Sequence, residues 1–185
     1  MRKILFSLLA AAVLALSLAA CGKQQDTGNG GVTTQPAQGS GVIETQAPGA
    51  GELAVRFGDS GVPFTMYLED NDTAAAIAHH VGTADWRLPI YHYDDYEGWE
   101  SFQYYDVPSR YEIPPNAQTV TSEKAGEVYY SEPNRIVLFY HDAEISGEYT
   151  LIGHFEVTED FISAVENNPV LEGWGNKIVQ ISPGA

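Results

Sequence analysis

Five histidines, His79, His80, His92, His141 and His154, are the side chains of this chain best suited to act as bases or metal ligands. His79 and His80 are neighbours in a helical stretch, so their rings diverge by roughly 100° and are poorly placed to hold one ion together. Zinc draws on spaced His, Cys or carboxylate ligands, and the other three histidines fall on separate strand-like segments. A surface or capping role is the expectation for all five, with no metal. Two acid clusters, Glu69-Asp70-Asn71-Asp72 and Asp94-Asp95-Glu97, carry the hard oxygen ligands that calcium prefers, but neither has the EF-hand spacing. The first reads as helix capping and the second as a solvated turn. There is no Gly-rich phosphate loop and no G-x-S-x-G elbow. No catalytic residue and no cofactor are therefore expected.

Binding chemistry is easier to place. Nine of the 21 aromatic residues lie between Trp86 and Tyr111. Alternate residues of a strand face opposite ways, so Tyr91 shares a face with Tyr93, and Phe102 shares one with Tyr104. Some rings must fill a core. The others, together with Trp86, Arg87 and Trp99, are the candidates for a groove that takes a peptide or a small molecule.

The elements that would position these residues follow from periodicity. "ELAVRFG" alternates apolar and polar residues, "DSG" is turn chemistry, and "VPFTMYL" returns: a hairpin. Ala74, Ile77, Ala78 and Val81 then make one helical stripe. Asn71 or Asp72 caps its start, and Gly82 suits the position just past its end. "RLPIYHYDDYEGWESFQYYDV" reads as a long hairpin pairing Ile90–Tyr93 with Phe102–Val107 around Gly98. "IPPNA" is a loop, and "GEVYY" a short strand. Ile136 to Tyr140 is apolar without alternation, as in a strand covered on both faces. In the return strand Tyr149, Leu151, Gly153, Phe155 and Val157 should share one face, with His154 on the other. Gly153 in mid-strand marks a bend or a close approach. Thr158 caps a second helix, buried through Phe161, Ile162 and Val165, and "NKIVQIS" closes the chain. About eight strands with two short helices describe a mainly β, closed or nearly closed barrel.

The remainder of the chain sets the location. Residues 1–21 form a signal segment: Arg2 and Lys3, an apolar run from Ile4 to Leu18, then Leu18-Ala19-Ala20-Cys21, which resembles the bacterial lipobox. Cys21 is the sole cysteine, which excludes an internal disulfide; it is the expected lipid attachment site. The apolar run is short for a membrane span. Residues 22–51 hold eight glycines and no aromatic residue, the composition of a tether. Residues 52–185 form the folded domain, large enough for one core. All 25 acids follow Cys21 against seven Lys and Arg, a net charge of about −18. Such a surface disfavours nucleic acid and anionic headgroups. The expected molecule is a monomer held by its lipid at the cell membrane or outer membrane, facing away from the cytoplasm.

The order of "FTMYLEDNDTAAAIAHHV", "LPIYHYD", "RIVLFYHDAEISGEYTLIGHFE" and "TEDFISAVEN" resembles the bacterial cyclophilin-like domain, over roughly Leu53 to Ile181. The resemblance implies a cyclophilin barrel, frequent in secreted or lipid-anchored proteins and sometimes beside flavodoxin-like redox domains, largely without an assigned activity. True cyclophilins isomerise prolyl bonds with an arginine and a glutamine beside a hydrophobic pocket. Arg87 follows the first helix as the cyclophilin arginine does, but the Met-Ile-Gln-Gly-Gly neighbourhood is missing, and Arg110 and Arg135 have no better claim. A non-catalytic binding or accessory module is the expectation, with an altered prolyl isomerase as the alternative.

Overall fold

The structure is a computed structural model that describes residues 51–91 and 100–184. Cys21, the tether, His92, Tyr93, Trp99 and the expected acidic turn around Gly98 lie outside them. Among the described residues the chain runs β1 (Glu52–Phe57), β2 (Phe64–Leu68), α1 (Asp72–Thr83), β3 (Trp86–Pro89), β4 (Phe102–Asp106), β5 (Gln118–Val120), β6 (Glu127–Ser131), β7 (Arg135–Phe139), β8 (Gly147–Phe155), α2 (Glu159–Glu166) and β9 (Ile178–Pro183). The fold is mainly β, as expected, with nine strands rather than about eight. The extra strand, β5, is three residues long and pairs with the start of β8; so short a segment leaves no readable period.

The strands order as β3-β9-β1-β2-β8-β6-β7-β4, with every pairing antiparallel. The two ends of this path approach each other at a single bridge, where the Tyr91 amide donates to the Tyr104 carbonyl at 2.8 Å. Among the described residues no ladder continues from it, so the barrel is nearly closed. The Tyr91–Tyr104 pairing agrees with the expected hairpin of Ile90–Tyr93 with Phe102–Val107, the rest of which lies outside the described residues; ahead of it β3 takes β9 as its ladder partner, from Trp86–Ile181 to Pro89–Ile178. On its other side β4 pairs along its whole length with β7.

The inner face gathers Leu53, Val55, Met66, Leu88, Ile136, Leu138, Ile152 and Ile181, joined by Ala74, Ile77 and Val81 of α1 and Phe161 and Val165 of α2. A smaller cluster covers the outer face of the same sheet, built on Tyr129, Val137 and Phe139 with Phe102, Tyr104, Tyr149 and Leu151 packed against them. β7 therefore sits between two apolar layers. This is why Ile136 to Phe139 lack alternation: Ile136 and Leu138 face in, Val137 and Phe139 face out, and all four are buried.

The alternation in β8 does not hold along its whole length. Val128 pairs with Gly153 but Tyr129 with Leu151, so Ile152 is an extra residue on the β8 side. This bulge re-phases the strand. Before it, Thr150 is buried while Tyr149 and Leu151 join the outer layer; after it, Phe155 turns into the core and His154 faces solvent. A strict period of two cannot register an inserted residue. The close approach at Gly153 is real: a Cβ there would lie 2.5 Å from the Tyr67 carbonyl oxygen.

Both helices begin where their caps dictate. The Asn71 side chain accepts from the Ala74 amide at 2.9 Å and donates to the Leu151 carbonyl at 2.9 Å, tying α1 to β8. Thr158 accepts from the Phe161 amide at 3.1 Å. At the other end of α1, Gly82 lies inside the last turn and Ala84 is the C-cap; the Thr83 hydroxyl donates to the His80 carbonyl and carries the helix past the glycine. α2 packs Phe161 against Phe57, Phe64 and Phe155, with centroids 4.9–5.9 Å apart. It thus sits at the Phe57–Phe64 end of the first hairpin, whereas α1 follows the Leu68 end of β2.

Candidate site at the barrel mouth

At the α2 end of the barrel, four pieces of chain surround a cavity of about 670 Å³. Glu100 and Ser101 lead into β4, Tyr140 and His141 leave β7, Val165 and Glu166 end α2, and Lys177 precedes β9. Gln103, one residue inside β4, forms part of the inner wall. The size is that of pockets that enclose small molecules rather than polymers.

The wall is laid down by strand phase. In β4, Phe102 and Tyr104 face the outer layer, so Gln103 and Tyr105 face in. Gln103 pairs in register with Leu138 of β7 and is 2% exposed. Its Nε2 has no hydrogen-bond partner among the described residues. Leaving such a donor unpaired in a protein interior costs on the order of 1–3 kcal/mol. Tyr140 is buried beside it, and burial, helped by the Glu166 and Glu100 carboxylates, pushes its phenol up to about 12. The phenol is therefore a protonated group at any ordinary pH. Val165, at 3% exposure, is the apolar side of the wall.

The rim is charged. The His141 ring nitrogen Nε2 lies 2.9 Å from Glu166 Oε1, and both side chains are about half exposed. Lys177 Nζ donates to the Glu166 main-chain carbonyl at 3.0 Å, a cation placed at the negative end of a helix. Ser101 lies on the same rim, where its main-chain carbonyl accepts from the Tyr140 and His141 amides. No hydrogen bond joins the Ser101 and His141 side chains, so the nucleophile–base contact that acyl transfer requires is absent among the described residues. Nor do three or more His, Cys, Asp or Glu side chains gather in a metal-holding cluster there.

The aromatic residues singled out from sequence go to three different places. Trp86 is 3% exposed and stacks on Tyr111 with centroids 5.5 Å apart, inside the core. Arg87 faces outward on the same strand, held by Asp59 through two nitrogens at 2.9–3.0 Å and lying 4.4 Å from the Trp174 ring. Tyr91, 38% exposed, stacks on Tyr104 at 5.8 Å; Arg135 covers Tyr104 at 3.9 Å and pairs with Asp106. Phe102 packs on Phe139 at 5.2 Å. Tyr91, Phe102 and Tyr104 are thus together on the outer face around β4, whereas Trp86 and Arg87 are apart from them and from each other.

Of the remaining histidines, His80 stacks on Tyr111 at 4.5 Å and contacts the Glu112 carbonyl, and His154 faces Glu69 at 3.5 Å. Sequence reasoning passed over Gln103, Tyr140, Glu166 and Lys177. A signal for Gln103 was available, since it is the polar residue in phase with Tyr105 and Val107 in an otherwise aromatic strand. The other three come from distant segments and meet only through topology.

A family model described as the cyclophilin-like family matches residues 56–173. The solution structure of a hypothetical protein from Archaeoglobus fulgidus is similar at 18% identity and a TM-score of 0.47, covering 73% of this chain and 95% of the archaeal one. No curated protein matches the chain. The matched span holds β2 to β8, both helices and more than half of the chain, and the chain belongs to the cyclophilin-like family.

Proposed function

We propose that this protein is a non-catalytic binding module, held by a lipid on Cys21 outside the cytoplasm, that receives a small molecule in the mouth of its barrel. The observation that carries the reading is Gln103, a buried carboxamide whose donor nitrogen has no partner and whose side chain lines a ligand-sized cavity. A purely structural glutamine at this depth would be expected to satisfy itself. One feature favours binding over prolyl isomerisation: Arg87 is engaged by Asp59 and Trp174 rather than lining the cavity.

The test uses the full chain in mild detergent and a set of fragment-sized compounds followed by ligand-observed NMR. Ser101→Trp places a ring over the mouth without entering the core. A subset of the compounds should bind the parent protein and be lost in the variant. Compounds that all bind both proteins equally, or a set in which none binds, would overturn the reading.

The tether and anchor carry their own expectation. Among the described residues no helix is long and apolar enough to cross a membrane; in this reading membrane retention depends on the lipid at Cys21. Cys21→Ala should move the protein from the membrane fraction to the soluble fraction almost completely, because acyl methylenes contribute about 0.8 kcal/mol each to anchoring. Unchanged fractionation would remove the lipid from the account.

A further inference from the structure

Six large apolar side chains among the described residues are exposed. Two of them are engaged with other rings, Tyr67 with His154 at 5.7 Å and Tyr91 with Tyr104. The other four, Val62, Val157, Val170 and Trp174, gather around the solvent side of α2 and the turns beside it. Single exposed apolar residues are ordinary; several on one face mark an interaction surface.

Two adjoining grooves run along that face. One, of about 420 Å³, lies between the β1–β2 turn at Gly58–Gly61 and the loop after α2 at Pro169–Glu172. The other, of about 440 Å³, lies between Val157–Glu159 and the later turns of α2. They share Ser163 and Asn167, whose side chains are bonded to each other at 3.2 Å, so a low ridge of short side chains joins them. Val62 follows Gly61 at the margin. Trp174 is tied to the same loop through its amide on the Leu171 carbonyl. Arg87 covers its ring at 4.4 Å, yet the side chain is still 57% exposed.

The charge that lines this face has one sign. Asp59 and Glu172 border the first groove, Glu159 and Glu166 the second, and no lysine or arginine lines either among the described residues. Arg87 at the margin is balanced by Asp59, and Glu166 faces His141. Glu159 and Glu172 form no ion pair among the described residues.

We infer that this face of α2 docks another protein through a cationic amphipathic segment, whose apolar side chains lie on Val157, Val170 and Trp174 and whose lysines or arginines meet Glu159 and Glu172. The docking goes beyond the mouth and does not depend on a ligand there. Charge selects the occupant. A second copy seated by two-fold symmetry would set these acids against themselves, on a chain of net charge −16. Nucleic acid and anionic lipid meet the same repulsion. Residues 22–51 offer Lys23 against Asp26 and Glu44 and hold no aromatic residue, so the tether does not supply the cationic segment. An apolar stripe flanked by lysines supplies both halves of the match, as helices laid into grooves do.

The probe is a short Lys/Leu peptide with its leucines at helical spacing, titrated by NMR into the methyl-labelled full chain in nonionic detergent. Its Glu/Leu and Lys/Ser counterparts each lack one half of the match. The same micelle accompanies every protein, so differences between variants report the protein surface. The Lys/Leu peptide should shift the Trp174 indole and the Val62, Val157 and Val170 methyls, and bind about tenfold more tightly than either counterpart, the difference one buried anchor commonly makes. Trp174→Ser with Val170→Ser should weaken it by a similar factor, whereas Tyr67→Ser, at an exposed ring elsewhere, should not. Glu159→Gln with Glu172→Gln should flatten the salt dependence of binding. All these positions are exposed, so the variants keep the fold. A Lys/Ser or Glu/Leu peptide binding as tightly as the Lys/Leu peptide overturns the inference. So does Lys/Leu binding unchanged in Trp174→Ser with Val170→Ser, or a concentration-dependent dimer that covers the same signals.

Discussion

Phe161→Ala is expected to destabilise the domain by about 3–5 kcal/mol, the usual cost of truncating a fully buried phenylalanine. The large end of that range applies. Phe161 is fully buried and touches three other rings, stacked on Phe155 and edge-on to Phe57 and Phe64. The rings come from β1, β2, β8 and α2, so no single element can move to fill the space. Aromatic pairs of this geometry also contribute beyond their buried area. A domain of this size has roughly 5–15 kcal/mol in total, so the variant should unfold at markedly lower urea concentration with the slope unchanged. A shift under about 1 kcal/mol would mean that α2 does not seal this end of the barrel.

That α2 is placed by Phe161 was legible in the sequence, through Thr158 as its cap and Phe161, Ile162 and Val165 as its apolar side. The same holds for Asn71, for the two-sided burial of β7 and for the close approach at Gly153. Each depends on one residue type in one local context, so a single chain carries the signal. What the sequence did not show is where a local rule gives way to a partner. β3 pairs with β9, from the far end of the chain, and no local period announces a partner so distant. The bulge at Ile152 inverted half of β8, since alternation is read from a fixed starting residue. The mouth was illegible for a related reason. Its lining comes from Glu100–Gln103, Tyr140–His141, Val165–Glu166 and Lys177, and no spacing in the chain links those four pieces. The aromatic richness from Trp86 to Tyr111 drew attention to rings, whereas Gln103 is the buried polar residue there on an inward phase.

Gly153→Val should be the more damaging change. Gly153 faces Leu68 across the β2–β8 ladder and Val128 across the β6–β8 ladder, at the point where the bulge shifts register. An added Cβ would meet the Tyr67 carbonyl oxygen at 2.5 Å and the Leu68 Cα at 3.4 Å. The obstacle is main chain, so no rotamer change relieves it. Either β2 retreats from β8, giving up the hydrogen bonds between Met66–Leu68 and Gly153–Phe155, or β8 moves off β6. Both strands lie near the middle of the sheet path, so both movements open the barrel between its core layers. Overpacking in a core commonly costs about 1–3 kcal/mol; here the loss of a ladder is added to it, and the variant should be largely unfolded at ambient temperature. Near-ultraviolet circular dichroism, with amide exchange at Glu69, whose amide donates to the Ile152 carbonyl, and at Phe155, whose amide donates to the Gly126 carbonyl, would read the two movements directly. Protection retained at those amides would show that the bulge can absorb a side chain, and the close packing of β2 on β8 would then not be what fixes the break in alternation. Gly153→Ala sets the scale between the two outcomes: it meets the same oxygen with the smallest possible intrusion, and its cost isolates the backbone clash from the bulk of the valine methyls.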